Sequence, residues 1–206
     1  MKFYDSVGPN PRVVRMFAAE KHISFDEIEA IDIIAGDNRR PPYMPAVNPL
    51  GGTPALVLPS GQVITEILAI CEYLEERQSA PALIGATPEE RANTRMWLRR
   101  VDLGFVEPLV LGFRAAEGRE MFAARVLLAR AEAAPDLKAM SLNRLDWLES
   151  SHGGADYLAG EAFTIADILL YCFVDFALLI GMTPLQGRPW LSAWFSRVSA
   201  RPSSKA

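Results

Sequence analysis

Cysteine and histidine are scarce in this chain, with two of each in 206 residues. Cys71 and Cys172 lie far apart, form no CxxC pair and have no metal-ligand spacing. A disulfide framework and a cysteine-ligated metal centre are therefore not expected. His22 and His152 stand alone at expected loop edges and make no dyad. A basic excess is also missing: 21 Lys and Arg stand against 25 Asp and Glu, a formal net charge of −4. That balance argues against a nucleic-acid partner, because phosphate binders usually carry a basic face. The longest apolar run, residues 168–180, is interrupted by Asp175 and falls short of the ~20 residues that cross a bilayer. A buried helix is expected there, and no membrane partner. The opening Met1-Lys2-Phe3-Tyr4 has no charged-then-apolar leader, so no signal peptide is expected and a cytoplasmic setting is the plain reading.

What the chain does have is a core. Hydrophobic residues make up 50% and charged residues 22%, a balance that folds into one or two domains and excludes general disorder.

Composition shifts near residue 80. Before it, short β-type runs alternate with helical ones. Lys2-Phe3-Tyr4 opens as a strand, and Val13, Val14, Met16 and Phe17 then fall at helical spacing. Asn10 is the expected N-cap of that helix, with Pro11 at its first position. A strand is expected over residues 24–31, and residues 37–52 read as a long loop with room for one short helix. Ala55-Leu56-Val57-Leu58 and Gln62-Val63-Ile64 flank a Pro59-Ser60-Gly61 turn and read as a hairpin. Thr65 is the expected cap of a helix whose buried face carries Ile67, Ile70, Cys71 and Leu74.

Residues 79–88 read as a linker, and no strand signal follows it. Thr87-Pro88-Glu89-Glu90 has the form of a capping box opening a helix to about Phe105, disturbed by Pro108. Further helices are expected over residues 119–133, broken at Pro135, and over 137–151, stopped by Gly153-Gly154. Thr164-Ile165-Ala166-Asp167 caps the buried helix, which ends at Gly181, and a last helix covers 189–198.

Four strings in order carry a resemblance across essentially the whole chain. Asn48-Pro49-Leu50-Gly51-Gly52-Thr53-Pro54-Ala55-Leu56 is similar to the strand-opening segment of cytosolic glutathione transferases. Ile64-Thr65-Glu66-Ile67 and the residues after it resemble that family's glutathione-binding helix start. Phe163-Thr164-Ile165-Ala166-Asp167 looks like its helical-domain capping motif, and Ala193-Trp194 with Arg197-Val198 and Ala200-Arg201-Pro202 like its C-terminal signature. The resemblance implies an α/β thioredoxin-like N-terminal domain over residues 1–79 and an all-α domain over 88–206. It also implies glutathione as co-substrate, a homodimer, and no metal.

It further implies a site. Pro54 falls where the family places a cis-proline, which would turn the Thr53 N–H and C=O toward the cysteinyl backbone of glutathione. Glu66 and Ile67 would receive the γ-glutamyl end at a helix start, Glu66 through its carboxylate as well. The family usually has Ser where this chain has Ile67, so one hydroxyl contact is lost. Arg40 and Asn48 would meet the glycyl carboxylate. Many relatives place a Ser, Thr or Cys just before the Pro-Asn element to hold the thiolate, and this chain has Gly8 there. The remaining donors rank Asn10, then Ser6, then Tyr4. Trp97, Phe105 and Phe113 would line an electrophile pocket, with Arg100 and Arg114 near its mouth. Conjugation to a hydrophobic electrophile is the expected reaction. The alternatives are glutathione-dependent peroxidase or reductase chemistry, or a non-catalytic ligand-binding protein on the same fold. Asp167, Cys71 and Cys172 are expected to be structural.

Overall fold

The computed structural model describes residues 1–152 and 154–206, so the stop expected at Gly153 lies outside the described residues. The chain divides into two compact units, residues 1–83 with 202–206, and residues 84–201. The last five residues thus join the first unit rather than the helical domain. There Arg12 Nη2 donates to the Ser204 carbonyl at 2.9 Å and Ser203 Oγ donates to Glu20, both partners lying on the first helix.

The first unit is built on β1 (Lys2–Asp5), α1 (Pro9–Glu20), β2 (Glu27–Ala30), α2 (Tyr43–Ala46), β3 (Ala55–Val57), β4 (Val63–Thr65) and α3 (Ile67–Arg77). The sheet runs in the order β2-β1-β3-β4. β1 pairs parallel with β2 and antiparallel with β3, and β3 pairs antiparallel with β4. Strand alternation sends Phe3 and Leu56 into a core shared with Val13, Val14 and Phe17 of α1 and Ile70 and Leu74 of α3, all fully buried. β2 is shorter than expected, because Ser24-Phe25-Asp26 precede its pairing with β1.

One core feature left no mark on the sequence pattern. Lys21, 0% exposed, places Nζ 2.5 Å from Glu75 Oε2 and 2.6 Å from the Pro81 carbonyl. Burying both charges is tolerable only because each meets the other. Lys21→Met therefore removes the cation that faces the buried Glu75 carboxylate, and a loss of about 3–5 kcal/mol is expected in urea denaturation. The double variant Lys21→Met/Glu75→Leu should recover most of it. A double variant as unstable as the single one contradicts this account.

The second unit is helical: α4 (Pro88–Val101), α5 (Glu107–Ala115), α6 (Arg119–Phe122), α7 (Ala134–Ser151), α8 (Ile165–Leu179) and α9 (Pro189–Ser199). Both capping boxes form. Thr87 Oγ1 accepts from Glu90 N at 3.1 Å while Glu90 Oε2 accepts from Thr87 N at 3.2 Å, and Thr164 with Asp167 repeats the pattern. α8 is buried on nearly all sides, ends at Gly181 with φ +80°, and is the expected central helix.

Three boundaries differ from expectation. A π-helical turn, Asp102–Val106, joins α4 to α5; its wider winding accommodates Pro108, which sits in the first turn of α5 instead of breaking the helix. Pro135 likewise opens α7 rather than ending a helix before it. The helix expected over 119–133 shrinks to the single turn of α6. Its apolar residues give it no buried stripe, since Val126 is exposed and Leu127 is 100% exposed, and an unpartnered helix of that length is marginal. The chain instead folds back, with Arg119 Nη1 donating to the Ala129 carbonyl at 3.0 Å. No helix among the described residues is long and apolar enough to cross a membrane.

Candidate functional site

The sheet's strand directions gather the site. β1, β2 and β4 run one way and β3 the other, and the register sets Tyr4 opposite Ala55 and Ala55 opposite Thr65. The C-terminal ends of β1 and β4 and the N-terminal end of β3 therefore share one edge of the sheet. Ser6 and the start of α1, the Thr53-Pro54 entry into β3, and Glu66 with the start of α3 all fall along it.

At the first of these, Gly8 rather than Asn10 is the N-cap, and Asn10 is the second helical residue. Gly8 has φ +111°, a conformation that side chains resist, and a Cβ built there would meet nothing within 4 Å. The space over the helix start is open. Four N–H groups at a helix start lack intrahelical partners. Here these belong to residues 8–11, and Pro9 and Pro11 have no N–H to offer. The positive end of α1 is thus expressed through two main-chain donors, Gly8 and Asn10, beside the exposed Asn10 amide.

Ser6 is buried and hydrogen-bonded to Thr53, Oγ to Oγ1, at 2.6 Å; its Oγ also donates to the Val7 carbonyl at 3.2 Å. This engagement ties β1 to the Thr53 turn. Tyr4 packs edge-on against Tyr43, with ring centroids 5.4 Å apart, as a member of the sheet's second face.

The Thr53–Pro54 peptide is cis. β3 begins only at Ala55, and among the described residues the Thr53 main-chain N–H and C=O have no hydrogen-bond partner. This is a one-residue strand edge beside the helix starts. Residues before it are pinned firmly. Tyr43 Oη donates to the Gly52 carbonyl at 2.5 Å, Asn48 Nδ2 donates to the same carbonyl at 2.9 Å, and Asn38 Nδ2 donates to Gly51 O at 2.6 Å. Asn48 Oδ1 accepts from Leu50 N at 2.9 Å, so the Asn48 side chain, expected to meet a carboxylate, is committed to its own loop. Tyr43 was not among the sequence candidates. Its signal was a tyrosine within a proline-rich loop, where a buried ring still needs a partner for its hydroxyl. Arg40 is exposed; its Nη2 lies 2.8 Å from Asp37 and 2.6 Å from the Ala35 carbonyl. The structure thus holds it within its own loop.

Glu66, not Thr65, is the N-cap of α3; Thr65 is the last residue of β4. Glu66 is exposed and has φ +70°. Such a conformation costs of order 1–3 kcal/mol in a residue with a side chain, and survives where something else requires it. Its carbonyl receives Ile70 N at 3.0 Å, and the N–H groups of the first turn, Ile67 included, point out of the helix start.

In the helical unit, Trp97 packs against Trp147 at 5.9 Å and His152 at 5.5 Å, while Phe113 packs against Phe122 at 6.2 Å and Phe176 at 5.0 Å. Phe105 is fully buried in the core, which corrects its expected place in a pocket wall. His152 is not an isolated loop residue either. It stacks on Trp190 at 3.9 Å, and burial pushes its pKa below the ordinary histidine value. Cys71 and Cys172 are buried in α3 and α8 and are not joined in a disulfide.

Asp167 is 0% exposed. Oδ1 accepts from Leu158 N at 2.9 Å and Trp194 Nε1 at 3.0 Å; Oδ2 accepts from Thr164 N and Oγ1, both at 3.0 Å. Burial pushes its carboxyl upward, against the pull of these four donors. It ties the capping box of α8 to Leu158 and to Trp194 of α9 and is fully buried.

Residues 7–77 match the family model for the glutathione S-transferase N-terminal domain, and residues 120–202 match that for the C-terminal domain. Glutathione S-transferase 2 of Saccharomyces cerevisiae is 30% identical over 210 residues, covering 100% of this chain and 88% of its own. FtsZ-localized protein A of Caulobacter vibrioides is 30% identical over 205 residues, covering 95% and 85%. The crystal structure of Gtt2 from Saccharomyces cerevisiae superposes with a TM-score of 0.89 at 27% identity, covering 100% of this chain and 99% of that one. With both domain models matched in order and the fold reproduced, this chain belongs to the glutathione S-transferase family.

Proposed function

We propose that the protein is a glutathione transferase that ionises the glutathione thiol for attack on a hydrophobic electrophile. The observation that carries this reading is the unpaired Thr53 N–H and C=O, held in place on the edge where both helix starts converge. An extended cysteinyl residue satisfies both groups, as an added strand does. The γ-glutamyl carboxylate then meets the first-turn N–H groups of α3, and the tripeptide's ammonium meets Glu66. The sulfur falls to the start of α1. A free thiol of pKa ~8.5 is only about 3% ionised at pH 7, and lowering it by two units makes about three quarters of it thiolate. Gly8 N–H, Asn10 N–H and the Asn10 amide are the donors that supply this shift. Ser6 is committed to Thr53 and Tyr4 to its packing, so Asn10 leads the three candidates. The thiolate attacks the electrophile, forms the C–S bond and releases the leaving group, with positioning and thiolate stabilisation as the catalytic devices. Phe113 with Phe122 and Phe176 offers an aromatic surface to the electrophile, and Trp97 remains a second candidate. A homodimer is proposed on the family relationship.

Asn10→Ala is the test by turnover. With a chromogenic aryl halide and saturating glutathione, kcat at pH 6.5 should fall about tenfold and recover as pH rises, because the loss is one of thiolate population. A kcat unchanged across that range clears Asn10 of the role. A second reading, a glutathione-binding protein without efficient turnover, is favoured by Gly8 at the usual donor position and by the similarity to a relative named for its localisation with FtsZ. Binding without turnover in the wild type is its signature.

A further inference from the structure

The loop in front of β3 holds one peptide group more tightly than its own burial requires. The Gly52 carbonyl accepts two hydrogen bonds, from Tyr43 Oη at 2.5 Å and from Asn48 Nδ2 at 2.9 Å. One donor would satisfy it. Tyr43 is 2% exposed, and its ring is set edge-on against Tyr4. A phenylalanine would fill the same place without bringing a hydroxyl that must itself be paired. Burial pushes that hydroxyl above the ordinary tyrosine value, so it stays protonated and donates. Asn48 is buried as well, with Oδ1 taken by Leu50 N. Glycine at 52 suits the arrangement, since a Cβ there would lie 3.3 Å from Asn48 Nδ2.

The Gly52 C=O and the Thr53 N–H belong to one peptide group. That group is trans and planar, so its C=O and N–H point in opposite directions. Fixing the oxygen toward Tyr43 and Asn48 therefore turns the Thr53 N–H away from both. This N–H is the one without a hydrogen-bond partner among the described residues. Two donors on the carbonyl also draw electron density through the amide and make its N–H a stronger donor, because linked hydrogen bonds polarise one another. The Thr53 side chain is held separately, by Ser6 Oγ at 2.6 Å.

We propose that Tyr43, with Asn48, is a positioning residue for glutathione: through the shared peptide group it aims and polarises the Thr53 N–H, and so sets how strongly the cysteinyl carbonyl is held. The inference rests on the proposed glutathione site and adds to it a buried residue that acts without touching the ligand.

Titration calorimetry on the full chain tests it with two ligands. One is glutathione; the other is its isostere in which a trans C=C replaces the Cys–Gly peptide, so that the carbonyl acceptor is gone. Wild type should bind the isostere about tenfold more weakly. Tyr43→Phe should weaken glutathione about fivefold and leave the isostere within about twofold, so the discrimination between the two shrinks. Should Tyr43→Phe not fold by circular dichroism, Asn48→Asp decides by the same comparison, since it keeps the acceptor for Leu50 N and loses the donor to Gly52. Equal wild-type affinity for the two ligands, an equal loss for both in the variant, or no loss for either overturns the inference while the glutathione site stands. Absence of glutathione binding by the wild type overturns the site itself, and the inference with it.

Discussion

Replacing Asp167 by alanine removes about 3–5 kcal/mol of stability, the range seen when a buried, fully bonded charge site is broken. Four donors converge on this carboxylate, and three of them, Leu158 N–H, Thr164 N–H and Trp194 Nε1–H, have no water to turn to once it is gone. Each buried donor left unpaired costs about 1–3 kcal/mol, less than additively. For a chain of this size a loss of that order lowers the melting temperature by about 10 °C. Asp167→Asn keeps the volume and one acceptor oxygen and should lose roughly half as much. Thermal melts of the two variants read this directly. Equal, small shifts would mean the carboxylate is not the clasp between the α8 cap and α9 that the geometry describes.

Glu66→Ala produces the second large effect, on binding rather than stability. A charge-assisted contact contributes about 1.5–3 kcal/mol, so glutathione affinity should fall about 10- to 100-fold. The backbone at φ +70° gives the prediction a second arm. Glu66→Gly relieves a conformation that only glycine adopts freely, so it should gain up to about 1 kcal/mol of stability while losing the same affinity. Calorimetry and denaturation on the two variants separate strain from recognition. If Glu66→Gly binds glutathione as tightly as wild type, the carboxylate has no part in the contact.

Much of this was legible because it is local. A capping box declares itself in four residues, and both formed: Thr87 with Glu90, and Thr164 with Asp167. The hairpin around Pro59-Ser60-Gly61 followed from turn chemistry and alternation. Features that depend on distant partners were not readable. Lys21 and Glu75 are 54 positions apart, and nothing nearby marks either as buried. The Ser6 bond to Thr53 spans 47 positions, which is why Ser6 looked as available as Asn10. Residues 119–133 carry helix-forming composition, but composition does not say whether an apolar stripe finds a neighbour, and Leu127 finds none. At the candidate site, Gly8 as the cap and Tyr43 as the anchor of Gly52 required coordinates.

The central claim is that the first unit holds glutathione with its sulfur at the start of α1. Titrating the ultraviolet thiolate absorbance of glutathione bound to the wild-type protein, from pH 5 to pH 9, tests it most directly. The account predicts a midpoint well below the ~8.5 of a free thiol, moving back toward that value in Asn10→Ala. A midpoint identical to that of free glutathione at saturating protein contradicts it.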